Sequence, residues 1–245
     1  MRFTDKVVIV TGAASGIGLA ASLRFGAEGA HVVLVDRDAG ALPAASGKVD
    51  EQGAGETMQV ECDVSAEQNV AHAVEQVMAR FGRLDAVVNN AGLMIFKPIE
   101  ELTGSDWIHV LQVDLLGAFF FTKQAFLHMR PGGAIVNVSS VHALKTEPNV
   151  APYAAAKAAL LSLTRSAALE GRPKGIRVNA LLPGAIDTPM LWNNPQVKSG
   201  AEHIDPAEVG KPEDVAAAIA FLASSEAAFI QGASLLVDGG RLCEL

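Results

Sequence analysis

Tyr153 and Lys157 are the pair with the clearest chemical use. The chain has a single tyrosine, and Lys157 follows it by four residues, so on a helix both side chains share one face. Moving a hydride to or from a carbinol carbon needs a proton taken from, or delivered to, the oxygen. An ordinary phenol, with a pKa of about 10, is almost fully protonated near neutral pH and is a poor base. A neighbouring ammonium, with the positive charge of an oxidised nicotinamide near by, lowers that pKa toward working pH. Tyr-x-x-x-Lys by itself is an ordinary helix pair. It gains meaning from Ser140, which ends an apolar run with twelve residues between it and Tyr153, and from a glycine loop near the N-terminus.

That loop reads Thr11-Gly12-Ala13-Ala14-Ser15-Gly16-Ile17-Gly18 and lies between a first strand-like run and a first helical pattern. Gly12, Gly16 and Gly18 let the backbone turn sharply and approach a diphosphate, whose charge lies against the helix N-terminus at Ser15 and Ile17. Eighteen residues after Gly18, a second strand ends at Asp36. A carboxylate there accepts from both hydroxyls of an adenosine ribose and repels a 2′-phosphate, which favours NAD over NADP. The adjacent Arg37 softens that rejection, so NADP is the lesser expectation. Asp63-Val64, after the third strand, is placed to touch adenine, and a helix N-cap role for Asp63 or Ser65 fits the same spacing.

Around these motifs, short β-branched runs alternate with long helical patterns. Strands are expected at 6–10, 31–35, 58–62, 86–89, 134–138, 177–182 and 233–237, and helices at 16–28, 67–81, 105 to about 129, 152–170 and 212–224. The strand runs are apolar with little alternation, as parallel strands covered on both faces are. This pattern gives one α/β domain over residues 1–245, a doubly wound parallel sheet with ligands beyond the carboxyl ends of its strands. Residues 187–210 lack a strand partner, and their Pro, Asn and Gly suggest a mobile substrate loop with a short helix.

The bulk numbers bound the classes. A chain of 245 residues, half of them hydrophobic, can bury a large core. Its net charge of −8 and pI of about 5.2 leave no electrostatic footprint for nucleic acid or an anionic membrane. No uninterrupted apolar run approaches the roughly 20 residues that span a bilayer, and no apolar signal segment precedes the first strand, so a soluble cytoplasmic protein is expected. Cys62 and Cys243 make no metal or redox motif, and the histidines show no ligand spacing, so no catalytic metal is expected.

Taken in order, TGAASGIG at 11–18, Asn89-Asn90-Ala91-Gly92, Ser140 with Tyr153-x-x-x-Lys157, and Pro183-Gly184 followed by Thr188 resemble the short-chain dehydrogenase/reductase family over essentially the whole chain. The resemblance implies a single-domain Rossmann-type sheet of seven strands in the order 3-2-1-4-5-6-7. It also implies a homotetramer, with contacts from the last strand and from the helices over 105–129 and 152–170. Lys157 is then expected to hold the nicotinamide ribose, and Ser140 to orient the substrate oxygen. Asn90, Ala91 and Gly92 back the cofactor site, while Pro183, Gly184, Ile186 and Thr188 anchor the carboxamide and diphosphate. The implied function is hydride transfer between NAD and the CH–OH or carbonyl group of a sugar, polyol or secondary alcohol. A 3-oxoacyl, hydroxy-acid or xenobiotic ketone reductase is the alternative among enzymes; a 3-oxoacyl or xenobiotic ketone reductase prefers NADPH, with a basic residue in place of Asp36. A dinucleotide-binding regulator without turnover is the alternative of another class, and the retained tyrosine and lysine speak against it.

One position departs from the family pattern. Val113-Asp114-Leu115-Leu116-Gly117 carries aspartate where a catalytic asparagine, holding a water that links its helix to the lysine, is usual. An ionised aspartate accepts hydrogen bonds and donates none. Asp114 can pair with Lys157 and raise its pKa, stay protonated through burial, or serve helix packing alone. The proton relay is expected to survive with an altered pH dependence. For the substrate, the segments after Gly92, between Ser140 and Tyr153, and from 187 onward supply Met94, His142, Asn149 and Trp192, with Glu147, Met190, Leu191, Asn193 and Asn194 beside them. Polar groups on an apolar wall suit a polyhydroxylated or small oxygenated molecule. His142 fits a substrate contact or a plain loop histidine, Trp192 fits lid packing or a sugar-stacking platform, and Lys145 is a cation for a carboxylate contact.

Overall fold

The computed structural model describes residues 1–200 and 203–243. Strands β1 (Val7–Thr11), β2 (His31–Asp36), β3 (Thr57–Glu61), β4 (Ala86–Asn89), β5 (Ala134–Val138), β6 (Arg177–Pro183) and β7 (Ser234–Val237) form one sheet in the order β3-β2-β1-β4-β5-β6-β7. Every pair is parallel. The order is the expected one, and no strand end moves by more than one residue. Between the strands run α1 (Gly16–Ala27), α2 (Leu42–Asp50), α3 (Glu67–Phe81), α4 (Gly104–Leu111), α5 (Gly117–His128), α6 (Ala151–Gly171), α7 (Pro189–Trp192), α8 (Pro195–Ser199) and α9 (Pro212–Ala223).

The valine-rich strands follow from burial on both faces. Val8, Val10, Val32 and Leu34 pack with Phe25 of α1 and Ile219 of α9, whereas Val7, Ile9, Val33 and Val35 pack with Val74 of α3 and Phe121 of α5. Successive side chains point to opposite faces, and with both faces covered the apolar–polar alternation disappears. Strand order reverses at β1 and β4, and the cleft that opens there lies beyond the strands' carboxyl ends.

Three elements differ from expectation. Helix α2 was not anticipated: it contains Gly47, and Ala41 caps it without a side-chain hydrogen bond. Its local propensity is weak, and the burial of Leu42, Ala45 and Val49 against the sheet holds it instead. The helix expected from 105 to about 129 is one rod whose middle turn, Gln112–Leu116, widens into a π-helical turn between α4 and α5. By length and composition this rod could cross a membrane; here α5 lies along α3 and β4 and carries Phe121 into the core. The expected loop at 187–210 folds into α7, α8 and a 3₁₀ turn at Pro206–Glu208, with Ala201 and Glu202 outside the described residues. Its base is closed where the Asp187 N–H donates to the Gly210 carbonyl and the Gly210 N–H to the Ala185 carbonyl, both at 2.9 Å.

Candidate active site

A cavity of about 640 Å³ opens where β1, β2, β4, β5 and β6 end. At one side β1 runs into the glycine loop and α1. The N-cap residue Ser15 makes no side-chain capping bond, and no acidic residue lies in the first turn, so amide groups and the positive end of the helix dipole stay available to an anion. Gly12, Ser15, Gly16 and Ile17 line the cavity. Gly18 stands behind them, where a Cβ would lie 2.1 Å from the Gly12 carbonyl oxygen. From β4, the Asn90 amide donates to the carbonyls of Thr11 (2.9 Å) and Gly12 (3.3 Å), while Thr11 Oγ1 accepts from the N–H groups of Asn90 and Ala91. The Asn90–Gly92 segment therefore fixes the glycine loop as well as lining the site.

Asp36 ends β2 with its carboxylate held by two backbone amides. Oδ2 accepts from Ala14 at 3.0 Å and Oδ1 from Asp38 at 3.1 Å, and Arg37 lines the cavity beside it. Asp63 and Val64 also reach the cavity. The Asp63 carboxylate is engaged locally by the Ser65 hydroxyl and N–H, which hold its pKa down. Neither residue caps α3, whose N-cap is Ala66. Across the cleft Pro183 ends β6, and Gly184, Ile186 and Thr188 follow it. An open helix N-terminus, a glycine cradle and a fixed carboxylate at the adjoining strand end together fit a nicotinamide dinucleotide.

The opposite wall is built on α6. Tyr153 and Lys157 lie one turn apart and are buried, as is Ser140 two residues beyond β5. The Lys157 ammonium donates to the Val138 carbonyl at 3.1 Å, and the Ser139 hydroxyl donates to the Lys157 carbonyl at 2.9 Å. Lys157 Nζ lies 5.4 Å from the Tyr153 ring centre and 3.3 Å from Asp114 Oδ2. Asp114 occupies the middle of the π-helical turn, is 1% exposed, and accepts the Leu93 N–H at Oδ1. Its Oδ2 receives no well-directed hydrogen bond, so the contact with Lys157 is an ion pair in the main. Asp114 thus both faces Lys157 and ties the π-helical turn to the Leu93 backbone.

These neighbours set the proton affinities. Burial pushes the Asp114 carboxyl up, with the Lys157 ammonium pulling against it. Burial lowers Lys157, but Asp114 and Tyr153 outweigh it and leave the ammonium raised. For Tyr153 the sequence led us to expect a pKa lowered by Lys157. That pull is present, joined by a hydrogen bond with Ser140, yet burial is larger and the Asp114 carboxylate adds to it, so the phenol is raised overall.

On the substrate side, Met94 and His142 line the cavity with Phe96, Val141, Met190 and Leu191. The His142 ring stands edge-on to Tyr153 at 5.8 Å, its Nδ1 is 3.2 Å from Thr146 Oγ1, and burial lowers its pKa. Asn149 and Trp192 do not line the cavity. Asn149 takes a left-handed backbone (φ 69°) and uses its carbonyl to accept the Lys97 N–H. The Trp192 indole donates to Asp187 Oδ1 at 2.6 Å, which favours loop packing over a stacking platform. Two groups were missed from sequence. One is Asn137, which accepts from the Asn89 amide and donates to Thr164, joining β4, β5 and α6 inside the core; the signal was a lone asparagine in an apolar strand. The other is the C-terminal segment, whose Arg241 and Leu242 reach the cavity.

A family model described as Enoyl-(Acyl carrier protein) reductase matches residues 12–241. The chain belongs to the short-chain dehydrogenase/reductase family. Among its relatives in that family, it is 40% identical over 253 residues to 3beta-hydroxysteroid dehydrogenase 1 of Eggerthella lenta, covering 96% of this chain and 93% of that protein. It is 42% identical over 243 residues to cis-4-hydroxycyclohexanecarboxylate dehydrogenase of Sinomonas cyclohexanicum, covering 97% of each. The solved structure of levodione reductase superposes with a TM-score of 0.94 at 36% identity, covering 100% of both chains. As a short-chain dehydrogenase/reductase, the protein is an oxidoreductase that moves hydride at a CH–OH or carbonyl carbon of a small alcohol, with a nicotinamide dinucleotide as its cofactor.

Proposed function

We propose that the protein is an NAD-dependent dehydrogenase of compact secondary alcohols with Tyr153 as its acid/base. The observation that carries this reading is one cavity with the Tyr153 phenol, Ser140 and Lys157 at one end and the fixed Asp36 carboxylate at the other. When bound, NAD accepts the hydride, and its positive charge favours the phenolate. Tyr153 Oη takes the proton of the substrate hydroxyl in oxidation and returns it in reduction. Ser140 orients that oxygen, and Lys157, held by Val138 and Asp114, supports the phenolate and the nicotinamide ribose. Of sugar, polyol and secondary-alcohol substrates, the apolar wall of Met94, Phe96, Val141, Met190 and Leu191 favours the last.

The test is to follow nicotinamide reduction with NAD or NADP against alicyclic alcohols, diols, aldoses and hydroxy acids. Turnover of secondary alcohols with NAD supports the reading; tight NAD binding with no turnover of any alcohol would favour a regulator instead. For the cofactor, Asp36→Ala should move the NAD-to-NADP ratio of kcat/KM toward NADP by about tenfold or more, because the repulsion of a 2′-phosphate goes with the carboxylate. An unaltered protein that uses both cofactors equally would overturn that assignment.

Asp114 gives a signed prediction. Its carboxylate raises Tyr153, so Asp114→Asn should lower the phenol's pKa and move the rising limb of alcohol oxidation to lower pH. A pH–rate profile unchanged from the parent protein would remove Asp114 from the relay. Exposed apolar side chains on the faces named by the family resemblance, Phe119 and Leu127 on α5, Leu169 on α6, and Leu235 and Leu236 on β7, support the homotetramer.

A further inference from the structure

The cavity is electrostatically lopsided. Among the described residues, its adenosine side is lined by Asp36, Asp38 and Asp63 against Arg37, whereas its substrate side presents Lys145 and Arg241 against the carboxylate of Glu147. Lys157 adds nothing to that balance, because Asp114 stands against it. A locally cationic substrate end in a chain of net charge −8 is a feature the alcohol chemistry itself does not require.

Arg241 is held in place, not left to wander. Both oxygens of the Asp238 carboxylate are used, accepting the N–H groups of Gly240 and Leu242 at 3.0 Å, and the Asp238 carbonyl accepts the Arg241 N–H at 3.1 Å. The turn is pressed onto the end of β6: a Cβ on Gly184 would lie 2.9 Å from the Asp238 Cα. Among the described residues the guanidinium itself makes one contact, from Nη2 to Glu147 Oε1 at 3.1 Å, with both side chains more than a third exposed. A single-point pair in that exposure is weak, and a planar fork of five N–H donors is left largely unused. His142 connects this pair with the reaction centre, since its ring meets Tyr153 edge-on while Glu147 and Arg241 both act on its charge.

We infer that Arg241 selects substrates carrying a carboxylate at the end remote from the reacting hydroxyl, exchanging its one bond to Glu147 for a two-point bond to the substrate. The inference rests on the alcohol dehydrogenase reading and narrows it to compact hydroxy-carboxylates with an apolar middle. Glu147 then acts as a stand-in anion that keeps the fork oriented and opposes anionic ligands until displaced. A bidentate guanidinium–carboxylate pair is stronger and more directional than the pair it replaces.

The test compares 4-hydroxycyclohexanecarboxylate with its carboxamide, a neutral match in shape. In the unaltered protein kcat/KM should favour the carboxylate. Arg241→Gln should cut the carboxylate-to-carboxamide ratio by about tenfold or more, mainly through KM. Glu147→Gln should raise that ratio. A ratio unmoved by both substitutions would overturn the inference, since a tail with only a structural role would change the two substrates in proportion. Arg241→Lys, which keeps the charge and loses the fork, should fall between, and thermal unfolding of each variant checks folding. Cyclohexanecarboxylate, which has no hydroxyl, separates the two readings when its binding to protein with NAD is followed by calorimetry. Binding lost in Arg241→Gln supports the carboxylate site even if no alcohol is turned over, and binding equal in the two proteins sinks it.

Discussion

Tyr153→Phe will lower turnover by at least about 100-fold in both directions, the least that a positioned acid/base contributes, while NAD still binds. The phenol sits in a buried pocket that its ring already fills, so phenylalanine preserves the packing against His142 and removes only the oxygen. That oxygen is the group proposed to exchange a proton with the substrate hydroxyl, and Ser140 acts on its proton affinity. Steady-state rates with a secondary alcohol and with the matching ketone, alongside a calorimetric NAD titration, read the two effects separately. Residual activity within about tenfold of the parent would mean that another group carries the proton.

The second large effect concerns stability. Lys157→Met removes the ammonium facing Asp114 and leaves a carboxylate that is 1% exposed without its cation. Breaking a buried ion pair from one side costs about 3–5 kcal/mol. Adding Asp114→Asn should recover most of that stability and none of the activity, since Lys157 is then still absent from the site. The pH dependence has a definite sign. Burial already raises Asp114, and losing Lys157 removes the pull that opposed it. A folded-state pKa above the unfolded one means that stability is fully present below the unfolded carboxylate range and is lost as pH rises through the folded value. Urea unfolding of Lys157→Met should therefore give lower stability at about pH 8 than at about pH 5, and the double variant should lose that extra slope. Equal stability of the single and double variants at neutral pH would show that Asp114 is not an anion stranded by the change.

Much of this arrangement is legible in the sequence, and the exceptions share a cause. Val7–Thr11 and Ala86–Asn89 read as strands because both faces are buried, and the glycine loop reads as a turn because Gly18 tolerates no Cβ. Tyr153 and Lys157 could be paired on sight because four residues on a helix bring side chains together. What could not be read was long-range. Helix α2 depends on the sheet beneath Leu42 and Val49 and not on its own propensity. Arg241 reaches the cavity only because a turn of the tail packs on β6 and brings it to Glu147, 94 residues earlier in the chain. Asn149 and Trp192 lie in the loops expected to wall the site, but spacing says nothing of side-chain direction: Trp192 turns its indole to Asp187, and Asn149 engages Lys97 through its backbone carbonyl. Asp114 stood out by departing from the family pattern, while the π-helical turn that aims it at Lys157 has no local signature.

Because the chain contains one tyrosine, its reactive group is also its only phenolic chromophore. Ultraviolet difference spectra taken across alkaline pH would report the ionisation of residue 153 alone, with Tyr153→Phe as the blank. Most proteins bury such a signal under several unrelated tyrosines. Here the effect of Asp114 on the phenol can be followed at equilibrium, without substrate, and stays visible even when dinucleotide release limits the overall rate. The phenol proposed to move the proton is the group that absorbs.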